Sequence, residues 1–335
     1  MPTQSQNHPF AEYIRILGKG KRGSRPLTRE EAYSAMQMIL TGQVEALQLG
    51  AFLMLMRVKE ETPGELAGFV QAAQDSFAFL PDAVRVDLDW SSYAGKRRHL
   101  PWFLLSALLL AENGVRILMH GARGHSPTRL YTEDALHSLG IAPASNIEEA
   151  AGQIREHNFS YLPLQRFCPR LQEIIELRPL LGLRSPVHTL VRMLNPCHAP
   201  YSFQGIFHPG YQPVHQQAAL LLKQPHMAVL KGEGGETERN PDMTCLVQSV
   251  HDGEATEEQW PALFRRRHIK PDSLDPKLLA AVWRGKHDDE FGQAAVLGTT
   301  AIALKLLGKA DTQRQAQSLA EDFWRKRRRE IQGCR

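Results

Sequence analysis

Cysteine is scarce: four in 335 residues, at positions 168, 197, 245 and 334, with no C-x-x-C spacing and no local cluster. That excludes a disulfide-stapled scaffold, argues against a structural zinc site and fits thiols kept reduced. Long apolar runs are missing too. The greasiest stretch, Leu100 to Ala111, is broken by Glu112 and Asn113 well short of a bilayer span, and Met1 to Pro9 is polar, without the apolar region of a secretory signal. A cytoplasmic protein with no membrane partner is expected. Strong charge of one sign is absent, since 40 Lys and Arg against 36 Asp and Glu leave +4. No G-x-S-x-G, P-loop or H-E-x-x-H occurs, so hydrolase, NTPase and metalloprotease chemistries have no support. Helix-turn-helix, zinc-finger and RNP signatures are lacking as well, which speaks against direct base readout.

With 42% apolar residues, the chain is long enough for two domains. Tyr13 to Phe79 repeats apolar residues three and four apart, and two capping boxes, Thr28 with Glu31 and Thr62 with Glu65 behind Pro63, mark helix starts. Beyond Pro81 short β-prone segments (Val84 to Leu88, Val115 to Met119, Phe203 to Phe207, Met227 to Leu230) alternate with helical ones, the pattern of a mainly parallel sheet covered by helices. The expectation is a helical N-terminal domain over 10–80 and an α/β domain over 81–335, with segment 165–195 a candidate to pack on the helices. Ligands in such folds sit on loops after parallel strands, which singles out Asp89 to Pro101, His120 to Tyr131 and Lys231 to Asp242.

Cations cluster in four runs: Lys19 to Arg25, Lys96 to His99, Arg265 to Lys270 and Arg325 to Arg329. Any one alone usually reads as solvated surface. The histidines, His120, His125 and His188 among them, lack Cys or carboxylate partners at ligand spacing and read as structural.

The loop His120-Gly121-Ala122-Arg123 through Arg129 resembles the lysine-His-Gly-Asn-Arg loop of anthranilate phosphoribosyltransferase. Leu183-Arg184-Ser185 followed by Asn195-Pro196 is similar to that family's Val-Arg-Thr and Asn-Pro, and Lys231-Gly232-Glu233-Gly234-Gly235 to its glycine-rich turn. The resemblance covers nearly the whole chain. It implies the anthranilate phosphoribosyltransferase and nucleoside phosphorylase class III fold, paired as a homodimer through the helical domain.

The departures from the family point elsewhere for function. Its Gly-Thr-Gly-Gly-Asp loop, which wraps phosphoribosyl pyrophosphate with backbone amides, reads Asp89-Trp90-Ser91-Ser92-Tyr93-Ala94-Gly95 followed by Lys96-Arg97-Arg98. The second loop has Met119 for lysine and Ala122 for asparagine, and the magnesium-binding acidic pair aligns with Thr237-Glu238, leaving Glu233 or Glu236 as substitutes. Such changes resemble the YbiB-like branch, which implies sequence-independent binding of DNA or RNA. No catalytic, cofactor-binding or metal-binding residue is expected. The expected contacts are Lys96, Arg97, Arg98, Arg123, Arg129, Arg184, Arg192 and Lys231, with Arg170 and Arg178 extending the strip and Lys19, Lys21 and Arg22 on a glycine-rich turn. Trp90, Tyr93 and Tyr131 interleave with these cations and could stack on bases or fill core. An active glycosyltransferase on an altered substrate is the alternative; a protein-binding scaffold is a third.

Overall fold

The computed structural model describes residues 7–77, 84–124 and 126–331. The expected domain boundary at 80/81, His125 and Cys334 lie outside the described residues.

Four helices open the chain: α1 (Ala11–Gly18), α2 (Arg29–Leu40), α3 (Ala46–Lys59) and α4 (Pro63–Gln74). Both capping boxes form, at Thr28 and at Thr62. Glu65 does more than cap. Its buried Oε1 also accepts from the Leu27 amide at 2.8 Å, which ties the approach to α2 onto the first turn of α4.

The second domain carries seven strands: β1 (Leu88–Ser92), β2 (Ile117–Gly121), β3 (Phe159–Pro163), β4 (Tyr201–Ile206), β5 (His226–Lys231), β6 (Cys245–His251) and β7 (Glu254–Trp260). They lie in the order β3-β2-β1-β4-β5-β6-β7, the first five parallel and the last two antiparallel. The helices between and after them are α5 (Phe103–Glu112), α6 (Thr132–Leu139), α7 (Ile147–His157), α8 (Pro169–Glu176), the single turns α9 (Arg178–Leu181) and α10 (Val187–Leu190), α11 (Tyr211–Leu221), α12 (Lys277–Trp283), α13 (Glu290–Leu306) and α14 (Gln313–Lys326).

Successive strand residues point to opposite faces, and the two faces feed two cores. Leu118, Leu162, Met227 and Val229 join α7, α8, α11 and the helical domain, whereas Met119, Tyr161, Ala228 and Leu230 pack with α5, α13 and α14. Segment 165–195 touches the helical domain directly: Arg170 Nε donates to the Ile39 carbonyl and Thr189 Oγ1 to Glu61. Strand order reverses between β1 and β4, whose carboxyl ends therefore flank the crevice where ligands settle in doubly wound sheets.

Two expectations need correction. Asp89 to Ser92, read as loop, continues β1, because the strand is central and buried on both faces. The edge hairpin β6–β7 went unread, although its Asp252-Gly253 turn, with both φ positive at 47° and 85°, is a hairpin signature.

Candidate functional site

The loops after β1, β2, β4 and β5 meet at the carboxyl edge of the sheet around a cleft of about 590 Å³, lined in part by Arg97, Arg98, Arg129, Phe207, Lys231 and Glu233. Gly234 makes the junction close. A Cβ there would lie 2.7 Å from the Gly95 carbonyl and 2.8 Å from Arg129 Nη1, so only glycine lets the two loops touch. Arg129 clamps the same point, donating to the carbonyls of Ala94 and Gly95 at 3.0 and 2.9 Å.

Two smaller cavities continue the cleft. One is lined by Arg57 of α3, Arg184, Arg192, Phe207, His208 and Tyr211 among others, the next by Arg123, Arg178, Arg184 and Tyr131. Burial, then the fields of Arg192, Arg129 and Arg178, brings the Arg184 guanidinium down to about 10. Burial, then the fields of Arg184, Arg192 and Arg178, pushes His188 down to about 3, so its ring is neutral at physiological pH. Among the described residues, Arg97, Arg98, Arg129, Arg184 and Lys231 form no ion pair with a carboxylate. Cations gathered this way without counter-ions make a site for anions.

Several expected contacts lie elsewhere. Lys96 is 1% exposed: its Nζ stands 2.5 Å from Glu238 and 3.2 Å from Glu233, a buried triad that cannot reach a phosphate. Burial opposes its charge, yet the two carboxylates hold its pKa above the usual lysine value; burial pushes Glu238 up against the pull of Lys96. Arg192 is buried and spends its donors on the carbonyls of Gly205 and His188. Trp90, Tyr93 and Tyr131 are buried, Trp90 edge-on to Phe203 at 4.9 Å and Tyr93 donating to or accepting from His120 at 2.6 Å, so none offers a free face. Arg123 reaches Asp134 at 3.4 Å and Arg170 reaches Glu173 at 2.7 Å. Lys19, Lys21 and Arg22 are exposed on the turn after α1, outside the cleft lining. In the C-terminal run Arg327 lies over the Trp324 ring at 3.5 Å and donates to three carbonyls, while Arg325 and Lys326 pair with Asp322; little of that run is left for a ligand.

Sequence reasoning missed what occupies the β1 loop. Glu236, buried, accepts from the amides of Ala94 and Gly95 at 2.6 and 2.5 Å and from Ser92 Oγ at 2.8 Å. Glu233 accepts from the amides of Arg97 and Arg98, and Glu238 from that of Phe103. Three carboxylates of this chain thus occupy donors that would otherwise face a bound anion. The same geometry bears on magnesium: Glu236 and Glu238 are spent on amides and Lys96, and Thr237 Oγ1 donates to the Ser91 carbonyl. These residues do not fit a hard cation, which takes several free oxygens. Among the described residues no group of three His, Cys, Asp or Glu side chains is placed to hold a metal.

In the segment after β5, Asp242 accepts from the His268 ring at 2.7 Å and raises its pKa, helped by Glu290 at 3.3 Å. A folded-state pKa above the unfolded value means the contact stabilises at acid pH and is lost as pH rises through the folded value. Amide protection factors around His268, the exchange rates taken relative to the intrinsic base-catalysed rates, should therefore fall from pH 6 to pH 8.5, and His268→Ala should abolish that change in protection.

The architecture and loops define a glycosyl transferase fold with a helical bundle ahead of an α/β domain. The description "Glycosyl transferase family, helical bundle domain" matches residues 11–77, and "Glycosyl transferase family, a/b domain" matches residues 103–326. An uncharacterized protein, YbiB of Escherichia coli, is 30% identical over 281 residues, covering 81% of this chain and 85% of that one. The anthranilate phosphoribosyltransferase of Caldivirga maquilingensis is 27% identical, covering 92% and 95%. Among solved structures, the anthranilate phosphoribosyltransferase of Thermus thermophilus superposes with a TM-score of 0.78 at 22% identity, covering 94% of each chain. The chain belongs to this glycosyl transferase family, in the YbiB-like branch beside the anthranilate phosphoribosyltransferases. Among the described residues no helix is long and apolar enough to cross a membrane.

Proposed function

We propose that the protein binds nucleic acid through its phosphates, without sequence preference, and that the phosphoribosyl pyrophosphate seat of the transferases is closed in this chain. One observation carries the reading: the cleft at the switch point gathers Arg97, Arg98, Arg129 and Lys231, with Arg184 in the adjoining cavity, all without carboxylate partners. Each phosphate neutralised there releases counterions, and a polymer presents many phosphates. The seat's closure is supported by Glu236, whose carboxylate already holds the loop amides. Pairing of two chains through the helical domain belongs to the same proposal. Leu47 and Val58 stand 89% and 84% exposed on α3, and a dimer would present two clefts to one strand, raising the effective concentration at the second.

Anisotropy titrations with unrelated oligonucleotides at several salt concentrations test this reading. The expected result is a submicromolar Kd (below about 10⁻⁶ M) that varies little with sequence and rises steeply with salt. Binding no tighter than roughly 10⁻⁴ M at physiological salt would overturn it. Calorimetry with phosphoribosyl pyrophosphate and Mg²⁺ is expected to show no heat; saturable heat would favour a phosphoribosyltransferase on an altered substrate.

A further inference from the structure

Among the described residues Phe207 is the most exposed Phe, Tyr or Trp, with 49% of its surface open. It follows directly on the last residue of β4, at the strand-order reversal, and lines both the cationic cleft and the smaller cavity that holds Arg184. His208 meets it edge to face at 4.8 Å, supporting one side of the ring. Cations without carboxylate partners therefore line both cavities that the ring borders: Arg97, Arg98 and Lys231 in one, Arg184 in the other.

We infer that Phe207 is a stacking platform for an unpaired base, so that this cleft takes single-stranded nucleic acid in preference to duplex. The inference rests on the nucleic-acid reading and adds the form of the ligand. A duplex keeps its bases stacked inside and offers the cleft only phosphates and sugars. Its bulk also exceeds a cavity of about 590 Å³, a size suited to a ligand of one or two nucleotides. A strand without a partner can turn a base onto the ring while its flanking phosphates reach the cations on either side. Stacking is sequence-tolerant because every base has a π-face, which agrees with the absence of a base-reading motif.

The test uses the full-length protein, its Phe207→Ala and Phe207→Trp variants, and three labelled probes of one length: oligo-dT, the same backbone without bases, and a duplex. Phe207→Ala is expected to weaken oligo-dT by about 5- to 150-fold and to leave the abasic strand and the duplex unchanged. Phe207→Trp should keep the affinity and show tryptophan quenching with oligo-dT but not with the abasic strand. Equal affinity of parent and Phe207→Ala for oligo-dT, or an equal loss on all three probes, overturns the inference while leaving the phosphate reading in place. Failure of the parent protein to bind any probe overturns that reading instead.

Discussion

Replacing Lys96 by methionine is expected to lower the free energy of unfolding by about 3–5 kcal/mol, the usual effect of stripping the partner from a buried charge. Glu238 is 2% exposed and would lose its closest cation, and Glu233 would lose a contact at 3.2 Å. The bond that Glu238 accepts from the Phe103 amide stays but does not neutralise it. Urea unfolding followed by circular dichroism measures the loss. The double variant Lys96→Met with Glu238→Gln should recover part of it, since the more deeply buried carboxylate is then neutral while Glu233 keeps its charge, held by the Arg97 and Arg98 amides. A loss below about 1 kcal/mol, typical of exposed pairs, would mean that water reaches the triad. Nucleic-acid affinity of the single variant, measured where it is still folded, should stay within about twofold of the parent, as expected of a charge already neutralised by its own chain.

Removing charge from the cleft has the opposite profile. The triple variant Arg97→Gln, Arg98→Gln, Lys231→Gln is expected to lose affinity on the order of 10²-fold or more, because hydrogen bonds to charged groups contribute about 1.5–3 kcal/mol each when made. All three side chains are exposed and without ion pairs, so the fold should tolerate the change. The loss should be the same for unrelated sequences, and the slope of log K against log salt should flatten by about 0.7–0.9 for each phosphate contact removed. Unchanged affinity and slope would place the binding surface elsewhere on the chain.

These two outcomes separate neighbours in sequence. Lys96, Arg97 and Arg98 form one basic run, and nothing in the run distinguishes its members. The difference arises because the Lys96 backbone pairs with Leu130 in an isolated bridge, exchanging bonds of 2.9 and 2.8 Å, which turns its side chain inward onto Glu238. The next two residues, with their amides held by Glu233, carry their side chains outward. Phe207 was within reach of sequence reasoning, since it closes the β-prone segment Phe203 to Phe207 and loops after parallel strands host ligands. Trp90 drew attention as a base platform through its position in an apparent loop, and the strand that buries it depends on β2 and β4 pairing on either side.

The sequence by itself determined the local and the repetitive: the capped helices at Thr28 and Thr62, the alternation that yields a parallel sheet, the scarcity of cysteine, and the loops that carry the cations. Those features depend on residues within a few positions of one another, where hydrogen bonding and periodicity are legible. Tertiary structure decided which charges are available. Glu236 meets Ala94 and Gly95 across more than 140 positions, Glu238 meets Lys96 across 142, and both partnerships exist only because β1 and β5 bring their following loops to one edge of the sheet. A charge binds an external anion only when its own chain has not already neutralised it, and that is settled by distance in space.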